Sequence, residues 1–143
     1  LIVQILAGAP AVLAGAPTLV LQPMNGGAKL RRWLYANGWN IVDEALARAG
    51  GRLYEIIRAE HGTAAMPDDA LLHIGACLFE KRDPLLREHI EAKIAKLTRA
   101  AEGMNASTTA RQSEEYRKTV SLLTALRTLL VLCRASQPKP PRP

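Results

Sequence analysis

The chain has 143 residues, 19 Lys and Arg against 13 Asp and Glu for a net charge of +6, and two cysteines. That length suits one compact domain with room for an appendage. Two cysteines exclude a disulfide framework and, at positions 77 and 133, lack metal-ligand spacing, so no metal is expected and both read as buried thiols of a reducing compartment.

The stretch 1–21 carries no charge, which raises the question of a membrane. Gln4, Gly8, Pro10, Gly15 and Pro17 break it into pieces too short to span a bilayer, so buried core is the reading and no membrane partner is expected. Leu1, Ile2, Ile5 and Leu6 fall at helical spacing, and a second turn starts at Pro10. Thr18–Leu21 is a short apolar strand closed by the turn 22–27, Gln-Pro-Met-Asn-Gly-Gly. Residues 28–36 are helical, with Leu30, Trp33 and Leu34 on one side and Arg31 and Arg32 read as facing out. Asn37-Gly38 ends that helix. Residues 41–46 and 52–60 are two strands around a Gly50-Gly51 turn. The sum is a strand–helix–strand unit with a terminal hairpin, half of an open α/β sheet.

A loop over 61–69 leads to an apolar run, 70–80, interrupted at Gly75. Asp83-Pro84 reads as N-cap and first position of a long helix whose stripe is Leu86, Ile90, Ile94, Leu97 and Ala101. Beyond a turn region at 103–109, Tyr116, Val120, Leu123, Leu126, Leu130 and Cys133 repeat the pattern. Two such helices pack as an antiparallel coiled-coil hairpin. The expected domains are therefore 1–78, the C-terminal part of an α/β domain; 79–134, the hairpin; and 135–143, a disordered Pro-rich tail.

Charge is unevenly placed. Residues 1–78 hold six basic and six acidic side chains, and residues 79–134 hold eleven and seven. The asymmetry points to an anionic partner for the C-terminal half. Lys81, Arg82, Arg87, Lys93, Lys96, Arg99, Arg111, Arg117 and Lys118 are the candidate residues for nucleic-acid phosphates. Glu88, Glu91, Glu114 and Glu115 are interleaved, and a solvated face of ion pairs explains the same pattern. In the first half, ligands of open α/β sheets bind beyond the carboxyl ends of the strands. Gln22, Pro23 and Asn25 stand at such an end, where two amides either bond a base edge or satisfy the loop and cap the next helix. His61, His73 and His89 have no carboxylate placed by spacing. Glu44, Glu55 and Glu60 read as exposed strand charges, and Trp33, Tyr35 and Trp39 as packing.

Leu19-Val20-Leu21-Gln22-Pro23-Met24-Asn25, Leu30-Arg31-Arg32-Trp33-Leu34-Tyr35-Ala36-Asn37-Gly38-Trp39, Ile41-Val42-Asp43-Glu44 and Tyr54-Glu55-Ile56-Ile57 together closely resemble the bacterial tRNA (adenine-N1)-methyltransferase family that acts on adenine 22. Phe79-Glu80-Lys81-Arg82-Asp83-Pro84-Leu85-Leu86 extends the resemblance. Gly75-Ala76-Cys77 departs from the Gly-Pro-Leu of that family. The resemblance covers about the last two-thirds of a family member and implies a class I, Rossmann-like fold of which the C-terminal half of the sheet is present, followed by a coiled coil that helps hold tRNA. It implies S-adenosylmethionine as cofactor, with its main contacts upstream of Leu1, so that this chain alone is expected to be inactive and not to bind the donor. It also implies a cytoplasmic enzyme that methylates N1 of an adenine in tRNA, with Gln22, Pro23 and Asn25 positioning the base and no catalytic triad or metal. The alternative is a non-catalytic RNA-binding or structural module built from half a methyltransferase fold. Oligomeric state is not legible.

Overall fold

The computed structural model describes residues 1–135. The tail expected over 135–143 lies, after Ala135, outside the described residues. Two compact units emerge, Leu1–Leu85 and a second that begins at Leu86.

The first unit runs α1 (Ile2–Ala7), α2 (Pro10–Gly15), β1 (Thr18–Leu21), α3 (Gly27–Ala36), β2 (Trp39–Ala49), β3 (Arg52–His61), α4 (Asp69–Ile74) and α5 (Ala76–Glu80). The sheet order is β1-β3-β2, with β3 antiparallel to both neighbours. β1 and β2 therefore run parallel, which demands a crossover, and α3 supplies it. The hairpin turn Gly50-Gly51 has φ of +55° and +75°. Two successive positive φ values make the two-residue turn whose twist matches that of the strands, and glycine takes them without strain. Both strands of the hairpin are longer than the alternation suggested, because pairing carries on past the apolar residues to Trp39 and His61.

A bulge between Ile41 and Asp43 shifts the parity of β2. Ile41 pairs with Ala59 and Glu44 with Ile57, so Glu44 faces the same side as the core. Leu6, Leu30, Leu34, Trp39, Ile41, Ile57 and Ala59 form that core, under α1 and α3. At about 25 cal/mol per Å² of apolar area buried, a cluster of this kind is the main stabilising term of the unit. β1 is an edge strand among the described residues, and its Val20 is 67% exposed.

The second unit holds α6 (Leu86–Asn105), α7 (Thr108–Arg111) and α8 (Glu114–Ala135). α6 starts later than Asp83-Pro84 suggests. The Leu85 N–H donates to Asp83 Oδ1 at 2.9 Å, closing a side-chain turn that keeps Pro84 and Leu85 outside the helix. α8 has a side-chain cap instead: the Tyr116 N–H donates to Ser113 Oγ at 3.1 Å. Glu114 and Glu115 then sit in the first turn, where the helix dipole favours negative charge. Leu86 and Ile90 are buried on α6, and Leu122, Leu123 and Leu126 on α8. Val120, expected in the stripe, is 40% exposed; Leu122 is buried in its stead. Among the described residues no helix is long and apolar enough to cross a membrane.

Candidate functional site: an amide-lined cleft at the carboxyl end of β1

At the end of β1 the chain leaves the sheet through Gln22-Pro23 and enters α3 through Met24-Asn25-Gly26. Pro23 is buried and anchors the turn, while Met24 and Asn25 are exposed and Gln22 is exposed beside them. Gly26 is the N-cap of α3 in the left-handed region, φ +71° and ψ +34°, and no side chain caps the helix. Asn25 therefore does not take the capping role. A cleft of about 530 Å³ opens here, lined by Leu1–Gln4, Gln22–Gly26, Lys29 and Leu30. Among the described residues the side chains of Gln22 and Asn25 make no hydrogen bond. Each amide offers two donors and a carbonyl acceptor, the set that matches the edge of an adenine. No group of His, Cys, Asp and Glu suited to a metal occurs among the described residues.

The start of α3 is held from behind by a buried charge network. Arg31 does not face out as its helical position suggested; it is 1% exposed. Its Nε donates to Glu44 Oε1 at 2.6 Å, Nη2 to Glu55 Oε1 at 2.9 Å and Nη1 to the Leu72 carbonyl at 3.0 Å. Glu44 is 2% exposed and also accepts from the Cys77 N–H at 3.2 Å, so it and Glu55 are not exposed strand charges. One guanidinium thus ties α3, β2, β3 and α4 together. Burial disfavours the charged guanidinium, but Glu44 and then Glu55 outweigh it and raise its pKa. The spacing held the signal: Gly27, Leu30, Arg31 and Leu34 fall on one helical face and are all buried. Two glycines leave room for the network. A Cβ on Gly75, where φ is +98°, would stand 2.7 Å from Glu44 Oε2, and one on Gly27 would stand 3.1 Å from Arg31 Nη1.

Cys77 and Tyr35 border this network. Burial first, then Glu44 and Glu80, push the Cys77 thiol up to about 11; burial pushes the Tyr35 hydroxyl up to about 12. Cys77 is then a structural thiol and no nucleophile. Alkylation of Cys77 by iodoacetamide is expected to be slow at pH 8 and to speed up roughly tenfold per pH unit towards 11. Mass spectrometry of labelled peptides reads it, and fast labelling at pH 7 would contradict the assignment.

The histidines do not converge. His61 stacks on Trp39 with ring centroids 4.0 Å apart, and its Nε2 lies 3.1 Å from the Leu13 carbonyl. His73 is 3.9 Å from Asp69. His89, expected on an exposed face, is 4% exposed.

The basic candidates are spread over both units. In the first, Lys81 Nζ bonds Asp43 Oδ1 at 3.0 Å, which holds that carboxyl below its usual range, and Arg82 follows α5. In the second, Arg87 pairs with Glu91 and Lys118 with Glu114, each at 3.1 Å, and Arg117 donates to the Gln112 carbonyl. Lys93 is half-buried, and Arg111 ends α7. Lys96 and Arg99 are exposed and form no ion pair among the described residues. Arg127 and Arg134 on α8, absent from the sequence-based candidates, lie on the outside of the helix, and Arg134 meets Glu91 at 3.1 Å. Lys29 in the cleft is a further addition, because a single lysine inside a helix carries no pattern.

The chain resembles known proteins in sequence and in fold. The sequence profile of the tRNA (adenine(22)-N(1))-methyltransferases matches residues 1–125. A Bacillus subtilis tRNA (adenine(22)-N(1))-methyltransferase is 36% identical over 62 residues, 43% of this chain and 26% of that protein. A Streptococcus agalactiae protein of the NADB-Rossmann superfamily superposes with a TM-score of 0.76 at 29% identity, over 90% of this chain and 54% of the other. A Streptococcus pneumoniae protein, described as a candidate tRNA (m1A22) methyltransferase and solved with S-adenosyl-L-methionine, gives 0.73 at 27% identity over 90% and 54%. The chain spans about half the length of these solved relatives, rather less than the two-thirds its resemblance implied.

Proposed function

Because the chain belongs to the tRNA (adenine(22)-N(1))-methyltransferase family, we propose that it forms the base-facing and RNA-holding part of an enzyme that methylates N1 of an adenine in tRNA. The observation that carries this reading is the cleft at the carboxyl end of β1, with the unengaged amides of Gln22 and Asn25 beside an apolar wall. S-adenosylmethionine, the family's cofactor, supplies an electrophilic methyl group. Among the described residues the cleft lining holds no carboxylate side chain to bind a ribose hydroxyl, so these residues by themselves do not fit the donor.

The residues present have a narrower task. Adenine N1 is neutral and carries a lone pair, so no activated nucleophile is needed. The protein has to take the base out of its stack, hold N1 in line and keep water away. Gln22 and Asn25 engage the base edge, and Pro23 fixes the turn that presents them. The Arg31 network keeps the start of α3, and with it the turn, in place.

The test is Gln22→Ala and Asn25→Ala in the complete enzyme. An amide that bonds a base edge contributes about 1–3 kcal/mol, so kcat/KM for tRNA should fall roughly five- to 150-fold while donor affinity holds. Unchanged methylation in both variants would overturn the reading.

The helices of the second unit are proposed to grip tRNA phosphates, and the enzyme to work in the cytoplasm beside its substrate. Lys96 and Arg99 are the residues to reverse, since neither is held by a glutamate among the described residues. Lys96→Glu with Arg99→Glu should lower the salt slope of tRNA binding by roughly 0.7–0.9 for each phosphate released. Anisotropy across a salt series measures it, and an unaltered slope would mean that the face is merely solvated.

A further inference from the structure

We infer that Lys29 is a phosphate anchor of the cleft, its ammonium pairing with a backbone phosphate next to the adenine that the cleft receives. This rests on the proposed function of the cleft and adds to it the anionic part of the substrate. Lys29 stands in the first turn of α3, is exposed, lines the cleft and forms no ion pair among the described residues. It has the only charged side chain in the cleft lining among the described residues. Its basic neighbours on α3 are already engaged, Arg31 with Glu44 and Glu55, and Arg32 with Asp69 at 2.7 Å.

A cation with no carboxylate beside it among the described residues is out of place where a base is methylated. Methylation at N1 turns a neutral adenine into a cation, and like charges repel more strongly in a cleft that is partly apolar than in water. An anion that arrives with the base and rests on the lysine removes the repulsion, and every nucleotide brings a phosphate. A compact charge on a flexible stem suits that target, whereas reading a planar base edge calls for the amides already in the cleft. The donor's carboxylate presents the same oxygen chemistry, so the test must separate the two sources.

In the complete enzyme, Lys29→Met and Lys29→Arg are compared for tRNA KM over a salt series, and for S-adenosylmethionine affinity by calorimetry. Lys29→Met should raise the KM for tRNA about tenfold, the size of a hydrogen bond to a charged group. It should also lower the salt slope by roughly 0.7, the share of one phosphate. Lys29→Arg should restore both, with donor affinity unchanged throughout. Weakened donor binding would assign the lysine to the donor's carboxylate and overturn the inference, and so would an unaltered tRNA salt slope. Gln22→Ala, assayed in parallel, keeps the two proposals apart. If it loses methylation while Lys29→Met is silent, only the anchor fails; if it and Asn25→Ala both methylate normally, the reading of the cleft itself fails.

Discussion

Replacing Arg31 with methionine is expected to cost the first unit about 3–5 kcal/mol, the usual penalty for removing one partner of a buried ion pair. The guanidinium is 1% exposed and is the cation that Glu44 and Glu55 share. Methionine fills much of the volume, so the substitution isolates the charge. Total stability of a domain this size is about 5–15 kcal/mol, and the variant should be near the edge of folding. Without its cation, the buried Glu44 carboxylate is left as an uncompensated charge, which is where most of the loss comes from. Adding Glu44→Gln should recover part of the loss at neutral pH, since a buried amide is cheaper than a buried charge. Urea denaturation of the three proteins at pH 7.5 checks this. A loss below about 1 kcal/mol would mean that water reaches the network.

The second large effect is expected at Leu126, fully buried on α8. Truncating a buried leucine costs about 2–5 kcal/mol, and Leu126→Asp adds the desolvation of a charge. The helical part of the far-UV circular dichroism should fall. Burial orders the other stripe positions: Ile90→Asp should be as damaging, Leu123→Asp slightly less, and Ile94→Asp, at a half-buried site, clearly less. Val120→Asp is the control; at 40% exposure it should shift stability by under about 0.5 kcal/mol. Equal damage at Val120 and Leu126 would show that α8 is packed in a different register.

What the sequence determined by itself was whatever depends on neighbours in the chain. Helical spacing placed α3, α6 and α8, and Gly50-Gly51 named the hairpin because only glycine takes two positive φ values freely. The turn from Gln22 to Gly27 was legible as the carboxyl end of a strand, and the cleft opens there. Tertiary structure decided the rest, because burial depends on partners far away in sequence. The bulge at Val42 reverses the parity of β2 and turns Glu44 inward, a one-residue irregularity that alternation cannot reveal. Once Glu44 and Glu55 meet on one face, Arg31 on α3 has a reason to be buried, 13 and 24 residues away from them. His89 and Leu122 became interior for the same kind of reason. A side chain's type limits where it can go, but the free energy of a buried charge is set by whether its counter-charge arrives, and only the folded chain brings them together.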